Sequence, residues 1–142
     1  MLADSLKSLL GNTFGLYFKA HSFHWNVEGP NFAQYHEFLG DFYEDVYGSV
    51  DTIAELIRQL DVYAPTTLSK MVSLSDVVES DAIPPGVEMM RALKQENDKY
   101  LAMLLSVYKE AEEAGEIGIS NILQDRLSAH DKHAWMLRSF TK

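Results

Sequence analysis

The segment "YAPTTLSKMVSLSDVVESDAIPP", residues 63–85, interrupts an otherwise helical pattern with three prolines and many Ser, Thr and Asp residues. Proline lacks the backbone donor and clashes with the preceding turn, so no continuous helix runs through this stretch. On both sides of it apolar residues recur at helical spacing. Residues 3–28 place Leu6, Leu10, Tyr17 and Ala20 on one stripe, with Leu9, Leu16 and Phe23 beside it. Asp4 is well placed to start this helix, Gly29 and Pro30 end it, and Asn31 offers an N-cap for a second helix reaching about Leu60. Residues 85–113 resume the period through Met89, Leu93, Tyr100, Leu104 and Val107 and stop at Gly115. A last helix is predicted from about Ile119 to Phe140. Inside the interruption, Leu68, Met71, Val72, Leu74, Val77 and Val78 predict a short buried helix.

Two helix pairs with short internal joints and one long crossover predict an all-α, ferritin-like four-helix bundle with a short helix in the crossover. The 142 residues suffice for a single domain, 1–142, which at this length buries about two-thirds of its unfolded surface. No strand-like alternation competes, and no internal repeat is present. A formal charge of −9 opposes general affinity for nucleic acid or anionic membranes and favours cations. There is no cysteine, so any metal must be held by His, Asp, Glu or backbone oxygen, donors that suit iron, manganese or zinc. The start "MLADSLKSLLGNTF" lacks the basic and apolar regions of a signal peptide, and no run approaches the roughly 18 apolar residues of a membrane span. A cytoplasmic location is expected.

His24 and His36 flank the Gly29–Pro30 joint, and "VDTIAEL" sets Asp51 and Glu55 one helical turn apart. By spacing alone the two acids either share a cation or form a solvated face. His36 and Asp51 lie on nearly the same face, since fifteen residues at about 100° return to within about 60°. Along the axis, however, they are about 22 Å apart, whereas ligands of one ion lie within a few ångströms. If they are one site, a second chain completes it. Two such helices packed antiparallel about a two-fold axis near Glu44 and Asp45 bring His36 of one chain beside Asp51 and Glu55 of the other, and His24 can join. Alternatively, His24 continues the apolar stripe as a hydrogen-bonded core residue. The Glu-x-x-His pairs of an intrabundle di-iron centre occur nowhere. Phosphate loops, His-Glu-x-x-His and G-x-S-x-G are also absent.

The run "KAHSFHWNVEGPNFAQYHEFLGDFYEDVYGSVDTIAELI" resembles the signature of the Dps family, the mini-ferritins. In that family "HWN" ends the first helix, a second His follows twelve residues later, and "D-x-x-x-E" lies further along the second helix. The closing "DKHAWMLRSF" is similar to the family's "DKHxWM" ending, so the likeness covers nearly the whole chain. It implies a hollow dodecamer, built from two-fold dimers, that oxidises Fe(II) with hydrogen peroxide or oxygen, stores ferric mineral and protects against oxidative damage. It also implies ferroxidase centres between subunits, with His24 and His36 from one subunit and Asp51 and Glu55 from its partner. Zinc or manganese are possible substitutes for iron. Trp25 resembles the family's tryptophan beside the centre, either a trap for stray oxidising equivalents or an interface residue. The acids of "EAEEAGE" and Asp125 resemble the lining of a three-fold channel, or equally a solvated helix end. His130 lies on the stripe of Leu123, Leu127, Ala134 and Leu137, so His130 and His133 are expected to pack or hydrogen-bond rather than ligate. His21 matches no family ligand and is expected to pack or to support the site.

The sequence departs from the family at one position. The Asp expected one turn after the second histidine is Gly40, and neighbouring Asp41 points about 100° away. Water, Glu44 or a shifted Asp41 could replace the ligand, or the protein binds one metal tightly and oxidises iron slowly. The alternative reading is therefore a metal-binding structural shell with impaired turnover. Direct DNA binding is not expected: no Lys-rich tail accompanies "MLADSLK" or the end after Phe140, and an acidic shell repels phosphate.

Overall fold

The computed structural model describes residues 1–142 and contains five helices: α1 (Leu2–Asn26), α2 (Phe32–Gln59), α3 (Leu68–Ser73), α4 (Gly86–Glu113) and α5 (Ile117–Phe140). The four long helices form two hairpins, α1 with α2 and α4 with α5, and the hairpins close on each other chiefly through α1 and α4. The seam between them is fully buried, with Leu6 and Leu10 of α1, Phe42 and Ile53 of α2, Leu93 and Leu104 of α4, and Leu123 and Leu137 of α5. Removing these side chains from water is the main force holding the bundle together. No helix is long and apolar enough to cross a membrane.

The joint between α1 and α2 sets the position of everything discussed below. Gly29 adopts φ +96° and Asn31 φ +67°, left-handed backbone that Gly accepts freely and Asn tolerates. Asn31 stands at the N-cap position, but its side chain makes no capping bond; its contribution is the turn. The first helix opens at Leu2, ahead of the expected Asp4, which lies in its first turn.

The crossover differs from expectation. Its helix is only Leu68–Ser73, and none of its residues is buried. Leu68, Val72 and Val78 are exposed, whereas Met71 and Val77 pack partly against the core. Both α3 and the chain just beyond it contact α1. Cβ atoms at Gly11 or Gly15 would overlap Leu74 and Ser75, so these two glycines form a notch that seats the crossover. A helix under two turns long cannot bury a full apolar face, and the notch anchors the loop instead.

Candidate metal centre

His24 lies in the last turn of α1 and His36 in the second turn of α2, and the Gly29 joint folds them face to face. Their rings stack with centroids 3.7 Å apart and 17° between planes. Each ring nitrogen Nδ1 reaches the other residue's backbone carbonyl, His24 to His36 at 2.7 Å and His36 to His24 at 2.8 Å. A carbonyl can only accept, so both Nδ1 atoms carry hydrogen, and in the neutral rings both Nε2 atoms present lone pairs. This is how protein structures commonly prepare imidazole for a metal, because the outer hydrogen bond fixes ring and tautomer. The bond to His24 also satisfies one of the carbonyls that the end of α1 leaves open.

Gly40 forms the floor of this arrangement. A Cβ there would lie 3.2 Å from His24 Cε1 and 3.4 Å from Nδ1, so the imidazole rests on bare α2 backbone where the family motif places an Asp. Asp41 and Glu44 are exposed and hydrogen-bond to nothing in the chain. Asp51 and Glu55 share an exposed face further along α2 and likewise have no hydrogen bond or ion pair. Because α2 is unbroken from Phe32 to Gln59, Asp51 remains about 22 Å from His36 along the axis. The chain thus assembles its two histidines and leaves the two acids apart. No three His, Asp or Glu side chains of one chain gather in metal-binding geometry.

Aromatic groups surround the histidines. Tyr43 lies 5.2 Å from His24 and stacks on His21 at 3.8 Å. Tyr17 is hydrogen-bonded to His21 Nδ1 at 2.8 Å, and Trp25 sits 4.2 Å from the His21 ring. His21 is therefore packed among aromatic rings, and its side chain makes no hydrogen bond to His24 or His36. Burial, helped by charge on His24, pushes the His21 pKa down. Tyr17 is pushed up, by burial first and then by Tyr47 and Tyr43.

A second polar cluster occupies the bundle centre and holds His130 and His133. His130 is fully buried. Its Nδ1 donates to Asn97 Oδ1 at 2.7 Å, while its Nε2 accepts from Arg126 Nη2 at 3.0 Å. Asn97 returns a bond to the His130 carbonyl. Arg126 pairs with Asp45 through two hydrogen bonds of 3.1 and 2.9 Å, and His133 Nε2 meets the same carboxylate at 2.7 Å. Burial, reinforced by the charges of Arg126 and His133, pushes His130 well below the usual histidine range. Burial acts to raise Asp45, but hydrogen bonds and charge from His133 and Arg126 outweigh it and hold the carboxyl below the usual range. Both histidines are thus hydrogen-bonded within the bundle, around the Arg126 guanidinium. Sequence reading missed Asp45, Arg126 and Asn97; the only local trace is the spacing of Arg126, His130 and His133 along one face of α5.

Comparison with known proteins identifies the family and the fold. The ferritin-like domain family matches residues 3–142. The chain is 29% identical over 140 residues to the DNA protection during starvation protein of Brevibacillus brevis, covering 99% of this chain and 94% of the relative. It is 30% identical over 142 residues to antigen TpF1 of Treponema pallidum, covering 99% and 80% of the two chains. The crystal structure of TpF1 superposes with a TM-score of 0.95 at 28% identity, over 99% of this chain and 91% of that one. The Dps protein of Vibrio cholerae O1, described as a member of a broad superfamily of ferritin-like diiron-carboxylate proteins, gives 0.94 at 26% identity over 99% and 89%.

Proposed function

This chain belongs to the Dps family of ferritin-like proteins, and from that premise we propose that it oxidises Fe(II) with hydrogen peroxide or oxygen at sites shared by two subunits and stores the ferric product inside a homo-oligomeric shell. The observation that carries this reading is the split donor set. Two imidazoles with fixed tautomers offer unpartnered Nε2 atoms at one end of α2. Two unpartnered carboxylates, Asp51 and Glu55, wait at the other. Each half is incomplete, and antiparallel pairing of two α2 helices completes both. The exposed Phe18, Trp25, Phe32 and Tyr47, each 44–57% accessible, give the same face the apolar character of a subunit contact. Imidazole and carboxylate together suit iron in both oxidation states, and manganese or zinc would fit the same donors. A dodecamer built from such dimers is the expected shell.

Mixed assembly tests the split. Chains carrying His24→Ala and His36→Ala lose the nitrogen half; chains carrying Asp51→Ala and Glu55→Ala lose the carboxylate half. Neither oxidises Fe(II) above buffer alone. When the two are refolded together, each mixed dimer regains one intact site, and ferric absorbance after Fe(II) and peroxide returns. A mixture as inert as its components counts against the shared site.

Gly40 favours a second reading, a shell that binds one metal per site and turns over slowly, because His24 occupies the floor where a further carboxylate would stand. The Brevibacillus relative is named for DNA protection. For this chain the charge of −9 opposes contact with phosphate, so protection would come from removing Fe(II) and peroxide.

A further inference from the structure

The bundle centre holds a second donor set, which the proposed oxidation does not use. Asp45 of α2 and His130 and His133 of α5 gather round the Arg126 guanidinium. Arg126 Nη2 lies 2.9 Å from Asp45 Oδ2 and 3.0 Å from His130 Nε2, and His133 Nε2 lies 2.7 Å from the same Asp45 oxygen. His130 donates through Nδ1 to Asn97, so its Nε2 lone pair points inward. An outer hydrogen bond of this kind is how proteins fix an imidazole for a metal. His133 donates from Nε2 to Asp45, but its Nδ1 has no partner in the chain and can carry the proton instead. Two imidazoles and one carboxylate are a donor set typical of Fe(II) sites with open positions.

With the guanidinium in place these side chains do not form a metal-binding group. Asp45 and His130 stand off from Arg126 Nη2 at hydrogen-bond distance, where a metal ion would draw them to about 2.0–2.2 Å. Packing alone does not account for the guanidinium. Its Nε is buried with no hydrogen-bond partner, which costs stability, and a buried ion pair often stabilises less than apolar side chains of similar volume. What it supplies is a positive charge fixed among the donors. The Asp45 side chain is 35% exposed, so the cluster opens to solvent on one side and a small cation has a way in.

We propose that Arg126 plugs a two-histidine, one-carboxylate metal site in the bundle core and thereby keeps Fe(II) out of it. Iron held there would bring its oxidation against Phe42 and Tyr100, whose rings lie 4.4 Å from His133 and 4.6 Å from His130. Confinement of the chemistry to the subunit boundary rests on the ferroxidase reading; the plugged site itself does not.

Co(II), a spectroscopic stand-in for Fe(II), is titrated into the assembled protein carrying His24→Ala and His36→Ala, which silence the boundary site. Each variant is also refolded with Co(II) present, so that a chain unfolded without metal still reports. The double variant is expected to bind no Co(II) tightly. Adding Arg126→Ala brings uptake of one Co(II) per chain, with the visible absorption of imidazole-bound cobalt and a raised melting temperature. Adding His133→Ala to that chain abolishes the uptake, and Arg126→Lys, which keeps the charge, shows none. Arg126→Ala that takes up no Co(II) under either protocol overturns the proposal. So does uptake indifferent to His133→Ala, uptake by Arg126→Lys equal to that of Arg126→Ala, or tight His133-dependent uptake with Arg126 in place. Protein with His24 and His36 intact that oxidises Fe(II) no faster than buffer overturns the ferroxidase reading alone and leaves the plugged site standing.

Discussion

A carboxylate at position 40 meets the His24 ring before it meets any metal, since even a Cβ there stands 3.2 Å from the imidazole. The ring can yield by the few tenths of an ångström required. Gly40→Asp should change stability by no more than about 1 kcal/mol, the helix gain of replacing glycine offsetting the tight contact. It should raise the anaerobic Fe(II) or Co(II) titration end point toward two per site, and an unchanged end point would separate Gly40 from metal stoichiometry. Among single residues, the turn motif and the helical repeat gave the rough placement of His24 and His36 across the joint, whereas Gly40 stood out only through the family resemblance. Their stacking and crossed carbonyl bonds were not legible, since spacing gives proximity and says nothing about where a ring nitrogen points. Asp45 and Arg126 are 81 residues apart, and no local pattern connects them.

The helices themselves were readable from the apolar period and from Gly and Pro at the joints, with ends displaced by about two residues, as fraying ends allow. The crossover was not, because a short apolar run has the same composition whether it is buried or exposed. The deciding information lay in another element, in the Gly11 and Gly15 notch of α1. A Cβ at Gly11 would come within 2.9 Å of the Leu74 backbone carbon, and backbone cannot swing aside as a side chain can. Gly11→Ala should therefore cost about 1–3 kcal/mol in denaturant unfolding, the usual penalty of overpacking. Limited proteolysis should show the cut rate rising within 61–85 and not at the joint between α4 and α5. Uniform protection would show that the notch does not hold the crossover.

For the whole molecule, the buried cluster sets the response to acid. The unfolded chain takes up a proton on His130 near pH 6.5, but the folded chain resists it to much lower pH. Stability from this residue is complete above 6.5 and is lost as pH falls through that value toward the depressed one, with a slope of at most about 1.4 kcal/mol per pH unit. Asp45, held below its ordinary 3.8, adds a further loss only at still lower pH. Denaturant unfolding between pH 7 and 5 should show the upper loss in the native chain and a flatter profile in His130→Gln; equal slopes would remove His130 as its source. The guanidinium at the centre of that cluster has one more consequence. A bundle organised around a bound ion is hostage to chelators, whereas Arg126 is tethered by its own backbone and cannot be extracted. Exhaustive treatment with EDTA should leave the melting temperature of the subunit where it was, because no chelator can withdraw a side chain from the core; a fall would show that a bound ion helps to hold the bundle.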